Sequence, residues 1–399
     1  MNSITLPNRL ARTLSSLERR RRAMRMAQRR RGALARFLHE EWFLAVGLTT
    51  SAVFLLMGKA LFAAMAGPIG MALMFVLLFA VVLGSSMSVV RHADHLAERL
   101  GEPYGTLILT LSVAIIEVVS ISAVILHGDN NPTLVRDSLL SVVMIILNGM
   151  VGVSLLIGAW RHREQHYNLQ GANAYLGVII PLVVLSLVLP SFTHTTPGPT
   201  LSYAQTIFLI LTSVGLYAAF LGIQTGRHRG YFADEVESLS EEIEEIAAPP
   251  SLGRHAILLL CHMVPVVMLA EQLAQPIDYV IETLRAPPAL GGIALAVLVA
   301  SPEAIGAVRA AVHNHLQRAV NIFLGSVLAT ICLTVPAMLV ISHLVGRNMV
   351  LGVEGTDRVM LLLTLAVSIV TFSSGRTNVL QGAVHLILFA AYLLLMVQG

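Results

Sequence analysis

G-T-L-I-L-T-L-S-V-A-I-I-E, from Gly105 to Glu117, and G-G-I-A-L-A-V-L-V-A-S-P-E, from Gly291 to Glu303, are one pattern written twice. Each opens on glycine, runs through apolar and small residues, and ends on a glutamate. Each sits in an apolar stretch of the length a bilayer crossing needs, about 20 residues. A carboxylate inside hydrocarbon is costly and therefore marks a functional site. Two of them in matched repeats point to an ion pathway at the interface between two halves of the chain.

The composition around these segments agrees. The 399 residues are 56% hydrophobic and only 12% charged. Soluble domains carry about 25% charged residues, so the chain reads as an all-α integral membrane protein. Cys261 and Cys332 fall inside apolar runs and give neither a disulfide framework nor a zinc spacing. There is no phosphate-cradling glycine loop, which argues against a primary pump. There is no acid-rich metal motif at a span end of the kind a membrane lipid transferase would need, so an enzyme is not expected. H-R-E-Q-H at 162–166 has the wrong order for the zinc-protease pattern H-E-x-x-H. A channel would build its pore ring by oligomerisation rather than from two repeated halves.

Eleven apolar runs qualify as spans: about 43–65, 67–90, 105–127, 134–159, 175–192, 204–225, 254–274, 290–312, 320–345, 357–374 and 378–397. Residues 1–36 hold eleven arginines against one acid, Glu18. Such a block can bind nucleic acid or anionic lipid. Placed directly before a membrane domain, it reads as a topology signal in loose contact with lipid headgroups, with no nucleic-acid partner. The first apolar run is too long for the core of a cleavable signal peptide. With the tail in the cytoplasm, alternating spans put 21 of the 26 lysine and arginine residues inside; only Lys59, Arg136, Arg285, Arg347 and Arg358 fall outside. The C-terminus then lies outside. The surrounding membrane would be the cell's inner membrane.

An odd number of spans makes the third and eighth cross in opposite directions. The expected organisation is a basic tail (1–40), a first helix (41–66), a first repeat half (67–225), an acidic linker (226–253) and a second, inverted half (254–399). Inverted halves place a site near the midplane with alternating access. The linker carries Asp234, Glu235, Glu237, Glu241, Glu242, Glu244 and Glu245 on a short amphipathic pattern. It reads either as a cation-gathering or sensing segment at the cytoplasmic mouth or as a solvated connection.

The motifs then resemble a known family. G-E-P-Y-G-T-L-I-L-T-L-S-V-A-I-I-E (101–117), R-D-S-L-L-S-V-V-M-I-I-L-N-G-M-V-G (136–152), A-S-P-E-A-I-G-A-V-R-A-A (300–311), L-Q-R-A-V-N (316–321), G-S-V-L-A-T-I-C-L-T-V-P (325–336) and S-G-R-T-N-V-L-Q-G-A-V-H (374–385) are similar to the cation/calcium exchanger superfamily, specifically bacterial calcium/proton antiporters of the ChaA type. The resemblance covers about residues 40–399. It implies eleven spans, no resident cofactor, and one pathway in which Glu117 and Glu303 bind cation and proton alternately. Vacuolar members carry Gly-Asn before the repeat glutamates. Here Ala114-Ile115-Ile116 precedes Glu117 and Ser301-Pro302 precedes Glu303, so sodium or potassium stays open beside calcium as cargo.

Two carboxylates supply at most four oxygens, whereas calcium takes about six to eight. Further ligands are sought among Ser112, Ser120, Ser301, Ser326 and Thr330, and in the pair Asn148 and Asn321, each followed four positions on by glycine. The asparagines read equally as packing sites beside small residues. Pro302 frees a carbonyl near Leu298 and is expected to break the helix there. His262 reads as a proton relay or as a bonded interior histidine, and Glu271 as a vestibule residue. His92, Asp94, His95, Glu98 and Glu102 read as ion-feeding or pH-sensing groups or, by default, as a solvated loop. A proton or a cation can satisfy the paired carboxylates, but not both fully, and that competition would be antiport.

Overall fold

The computed structural model describes residues 40–100, 104–127, 132–232, 252–287, 289–347 and 349–398. The acidic linker residues Asp234, Glu235, Glu237, Glu241, Glu242, Glu244 and Glu245, the arginine-rich tail and Glu102 lie outside the described residues, as does the side chain of Glu98.

The described chain is almost entirely helical. Its long helices are α1 (Trp42–Ala64), α2 (Pro68–Leu100), α3 (Tyr104–His127), α4 (Leu134–His162), α5 (Leu169–Phe192), α6 (Tyr203–Arg227), α7 (Leu252–Thr283), α8 (Ala289–Val312), α9 (Leu316–Val345), α10 (Gly355–Thr371) and α11 (Val379–Gln398). Among the described residues, nine helices are long and apolar enough to cross a membrane. The remaining two, α3 with 24 residues and α10 with 17, have the length of a crossing.

Two boundaries differ from the sequence reading for a packing reason. Residues 91–100, read as a solvated loop, continue α2. Val89, His92, Ala93 and Leu96 recur at helical spacing and are buried, and α2 packs along α7. The helix α7 likewise runs past 274 to Thr283, with Leu273, Ala274 and Ile277 buried. Charged residues punctuate a hydropathy profile but do not end a helix whose other face has a partner.

Helices from before residue 226 and after residue 253 interleave rather than forming separate bundles. α2 packs on α7, α4 on α8 and α11, α9 on α3 and α6. α4 and α9 are the innermost: 83% and 72% of their apolar windows are buried, against 22% for α1. The outer helices turn large apolar side chains outward, as a lipid-facing surface requires, with Leu56 82% and Val370 70% exposed.

Close helix contacts rest on small residues. A Cβ added to Gly382 of α11 would stand 2.9 Å from the carbonyl oxygen of Gly152 and 2.9 Å from Leu156 Cα on α4. Both neighbours are backbone and cannot rotate away. Gly382→Ala is therefore expected to lower stability by about 1–3 kcal/mol, read as a fall in the thermal aggregation midpoint in detergent. Gly177→Ala on α5 has open space and should leave the midpoint unchanged; equal effects would refute the close-packing account.

Polar contacts gather at two opposite rims. At one, His162 Nε2 lies 2.8 Å from the Val312 carbonyl oxygen and Gln165 donates to the Ala311 carbonyl at 2.8 Å. There β1 (Gln165–His166) pairs antiparallel with β2 (Arg376–Thr377). At the other, the Val350 amide donates to Pro132, Gly352 to Pro199 and Val353 to Leu187. α4 therefore starts at the second rim and ends at the first, and α8 also ends at the first. α3, joined to the start of α4, runs the other way.

Candidate functional site

Glu117 and Glu303 each lie near the middle of a 24-residue helix. Although α3 and α8 run oppositely, both carboxylates sit at similar depth, each about 20 Å from the start and about 15 Å from the end of its helix at 1.5 Å rise per residue. Glu117 is 1% exposed. It shares a face of α3 with Val113, Ser120 and Ile121, all buried. Glu303 is half-buried.

One helix serves both. Ser326, Thr330 and Thr334 recur every fourth residue on α9 and so line one face of it. Ser326 Oγ donates to Glu303 Oε2. Thr330 Oγ1 donates to Glu117 Oε2 at 3.0 Å, and Thr334 Oγ1 donates to the same oxygen at 2.6 Å. The two carboxylates are thus held from adjacent turns of one face, on the order of 5–6 Å apart along it. Thr330–Thr334 is a π-helical segment, a wider turn that recurs at functional sites. Glu117 Oε1 is buried and has no hydrogen-bond partner among the described residues. A buried carboxylate with an orphan oxygen calls for a proton or a cation.

The proposed secondary ligands divide. Ser326 and Thr330 meet the carboxylates. Thr334, which the sequence reading passed over, also does; its position one turn beyond Thr330 was the available signal. Asn321 does not: its Nδ2 donates to the Phe232 carbonyl at 2.7 Å and its Oδ1 accepts from Gln317 at 3.0 Å. It ties α9 to the end of α6.

Asn148 is set relative to Arg136 as Thr330 is to Arg318, and it also lies in a π-helical segment, Ile145–Met150. Yet it bonds toward α10 and α11. Its Nδ2 donates to Thr364 Oγ1 at 2.8 Å, and its Oδ1 lies 3.3 Å from His385 Nδ1. Ser112 and Ser301 bond back to the carbonyls of Ile108 and Val297 in their own helices. Ser120 is fully buried, and its hydroxyl has no hydrogen-bond partner among the described residues. Pro302 does not break α8, which continues through it.

A second polar cluster was not legible in the sequence as a unit. Glu41, just before α1, is 6% exposed. Its Oε2 lies 3.1 Å from His262 Nε2, 3.3 Å from His92 Nε2 and 2.9 Å from an Arg91 guanidinium nitrogen. Burial works against a charge on Glu41, but the His262 hydrogen bond, the Arg91 guanidinium and His92 outweigh it and hold the carboxyl below its usual range. His262 is fully buried, in keeping with a bonded interior histidine. Glu271 is exposed on α7.

Residues 70–226 and 254–398 match the family model described as sodium/calcium exchanger protein. The chain is 43% identical over 316 residues to the sodium-potassium/proton antiporter ChaA of Escherichia coli K12, covering 78% of this chain and 86% of that protein. It is 24% identical over 270 residues to the Ca(2+)/H(+) antiporter ChaA of Bacillus subtilis, covering 65% and 75%. Among solved structures it is similar to native YfkE, with TM-score 0.69 and 20% identity over 90% of this chain and 99% of that one. It is also similar to the H+/Ca2+ exchanger CAX, with TM-score 0.64 and 14% identity over 90% and 89%. The family match spans both helical halves and contains both carboxylates and the hydroxyl face between them, and the chain belongs to the sodium/calcium exchanger protein family.

Proposed function

We propose that this protein is a secondary antiporter that exchanges calcium, or a monovalent sodium or potassium ion, for protons across the membrane. The observation that carries this is the pair of intramembrane carboxylates held on one hydroxyl face of α9, with one oxygen of Glu117 unpartnered among the described residues. Cation and proton compete for these groups. The hydroxyls of Ser326, Thr330 and Thr334 accept from a proton-bearing carboxyl or offer oxygens to a cation, so the same face serves both cargoes. The names of the Escherichia coli and Bacillus subtilis relatives support cation/proton exchange and divide on the cation. No resident cofactor is part of the cycle; the cation is cargo.

Alternating access fits the opposed directions of α3 and α8. Residues 67–225 and 254–399 form two inverted halves, joined by the linker 226–253, after a first helix at 41–66. The protein is placed in the inner membrane, with its partners the lipid bilayer, inorganic cations and protons. Everted vesicles energised by proton pumping test the function. Adding calcium, sodium or potassium in turn should collapse part of the pH gradient for at least one of them, more strongly at alkaline pH, because protons must leave before a cation binds. A folded protein that leaves the gradient unchanged with all three would falsify the antiporter reading.

The orientation carries its own prediction. In a background lacking Cys261 and Cys332, single cysteines in the tail and in 226–253 should react only after permeabilisation. A cysteine placed just after Gln398 should react in intact cells. The 21-to-5 split of basic residues supports this. Labelling of both ends from the same side contradicts it.

A further inference from the structure

We propose that Glu41, His92 and His262 form a binding site for a transition dication of the zinc class, separate from the transport carboxylates. The three ligand atoms come from the entry to α1, the far end of α2 and the first half of α7, and all three residues are buried. In the proposed orientation these helix ends face the cytoplasm. The three residues are remote in sequence and meet only through packing, so no spacing motif announces them.

The geometry fits a metal of this class. Zinc binds imidazole nitrogen at about 2.0–2.1 Å and carboxylate oxygen at about 2.0–2.2 Å, so neighbouring ligand atoms of a tetrahedral site stand on the order of 3.3–3.5 Å apart. Glu41 Oε2 lies 3.3 Å from His92 Nε2 and 3.1 Å from His262 Nε2, and all three ligand atoms fall within 4.8 Å of one another. Two imidazoles and one carboxylate select a borderline-soft ion, whereas calcium, sodium and potassium prefer an all-oxygen shell. The set therefore does not compete with the proposed cargo.

A further contact orients the ligands. His92 Nδ1 lies 3.1 Å from His255 Nδ1. With His92 Nε2 on a metal, Nδ1 carries the proton and donates it to His255, as metal-bound histidines donate their second nitrogen to a neighbour. Arg91 is the opposing charge: its guanidinium sits on the same Glu41 oxygen. Its side chain is 46% exposed and can withdraw to solvent when a dication takes its place. Glu41 precedes the residues matched by the family model, whereas His92 and His262 fall within them, so the set is completed by a residue outside the family match.

The test uses the untagged full-length protein in detergent, with Glu117→Gln and Glu303→Gln introduced so that the transport carboxylates do not contribute. Zinc chloride is titrated against a competing chromophoric chelator. One zinc per chain is expected. His92→Gln, His262→Gln and Glu41→Gln should each weaken it by more than the roughly ten- to hundred-fold that loss of a mere hydrogen-bond partner of a ligand produces. Arg91→Gln should tighten it, an effect that a purely structural ion pair would not produce. Each variant is first shown to be monodisperse; should one fail to fold, cobalt added to the parent protein reads the same site through its visible absorption. Zinc affinity unchanged by the histidine substitutions, displacement of zinc by equal calcium, or a weaker site in Arg91→Gln would each overturn the proposal.

Discussion

Glu117→Gln and Glu303→Gln, made singly, are expected to reduce cation-coupled proton flux in vesicles to the level of vesicles without the protein. Glutamine keeps the size and one carbonyl oxygen but loses the charge and the exchangeable proton. A cation at this depth then faces one carboxylate instead of two, in a medium where charge interactions are several-fold stronger than in water. Both variants should remain inserted and monodisperse, because what they lose is a costly buried charge rather than packing. Glu271→Gln should keep substantial activity, since Glu271 is exposed on α7. Normal transport by either repeat variant, or greater sensitivity at Glu271, would show that the site has been misplaced.

The second large effect is expected at the hydroxyl face of α9. Thr334→Val and Thr330→Val keep the branched shape but delete the donors to Glu117 Oε2. A hydrogen bond to a charged group contributes about 1.5–3 kcal/mol, so each single variant should shift the half-saturating cation concentration at least about tenfold. The double variant should approach the loss seen in Glu117→Gln. Asn321→Ala, which removes a bond to the Phe232 carbonyl rather than to a carboxylate, should alter stability more than cation dependence. If Asn321→Ala shifts the cation dependence while Thr334→Val does not, the ligand assignment is reversed.

The helices and their number were legible because a bilayer forces long apolar runs. That both glutamates fall mid-helix was legible for the same reason; their binding of cation and proton is what is proposed, beside the plainer reading of carboxyls bonded to a neighbouring helix. Which hydroxyls meet them was only half legible. Ser326 and Thr330 stood among equals with Ser112, Ser301, Asn148 and Asn321, and nothing local says which face of a helix turns toward a given neighbour. The π-helical turns in α4 and α9 shift that face, and Asn148 falls within one of them. Backbone bonding by Ser112 and Ser301 one turn back is the usual alternative for a hydroxyl within a helix. Glu41 was invisible as a site residue because it follows the basic tail directly, where an acid reads as a surface group; only the packing of α1, α2 and α7 brings His92 and His262 to it.

Proton release on cation binding shows whether cation and proton use the same groups. Purified protein in weakly buffered detergent solution is mixed with calcium, sodium or potassium, and the pH is followed with an indicator dye. The account predicts protons released in proportion to the cation bound, a smaller release in Glu117→Gln and in Glu303→Gln, and none when both are replaced. Cation binding without proton release, or release undiminished by the double replacement, would contradict it.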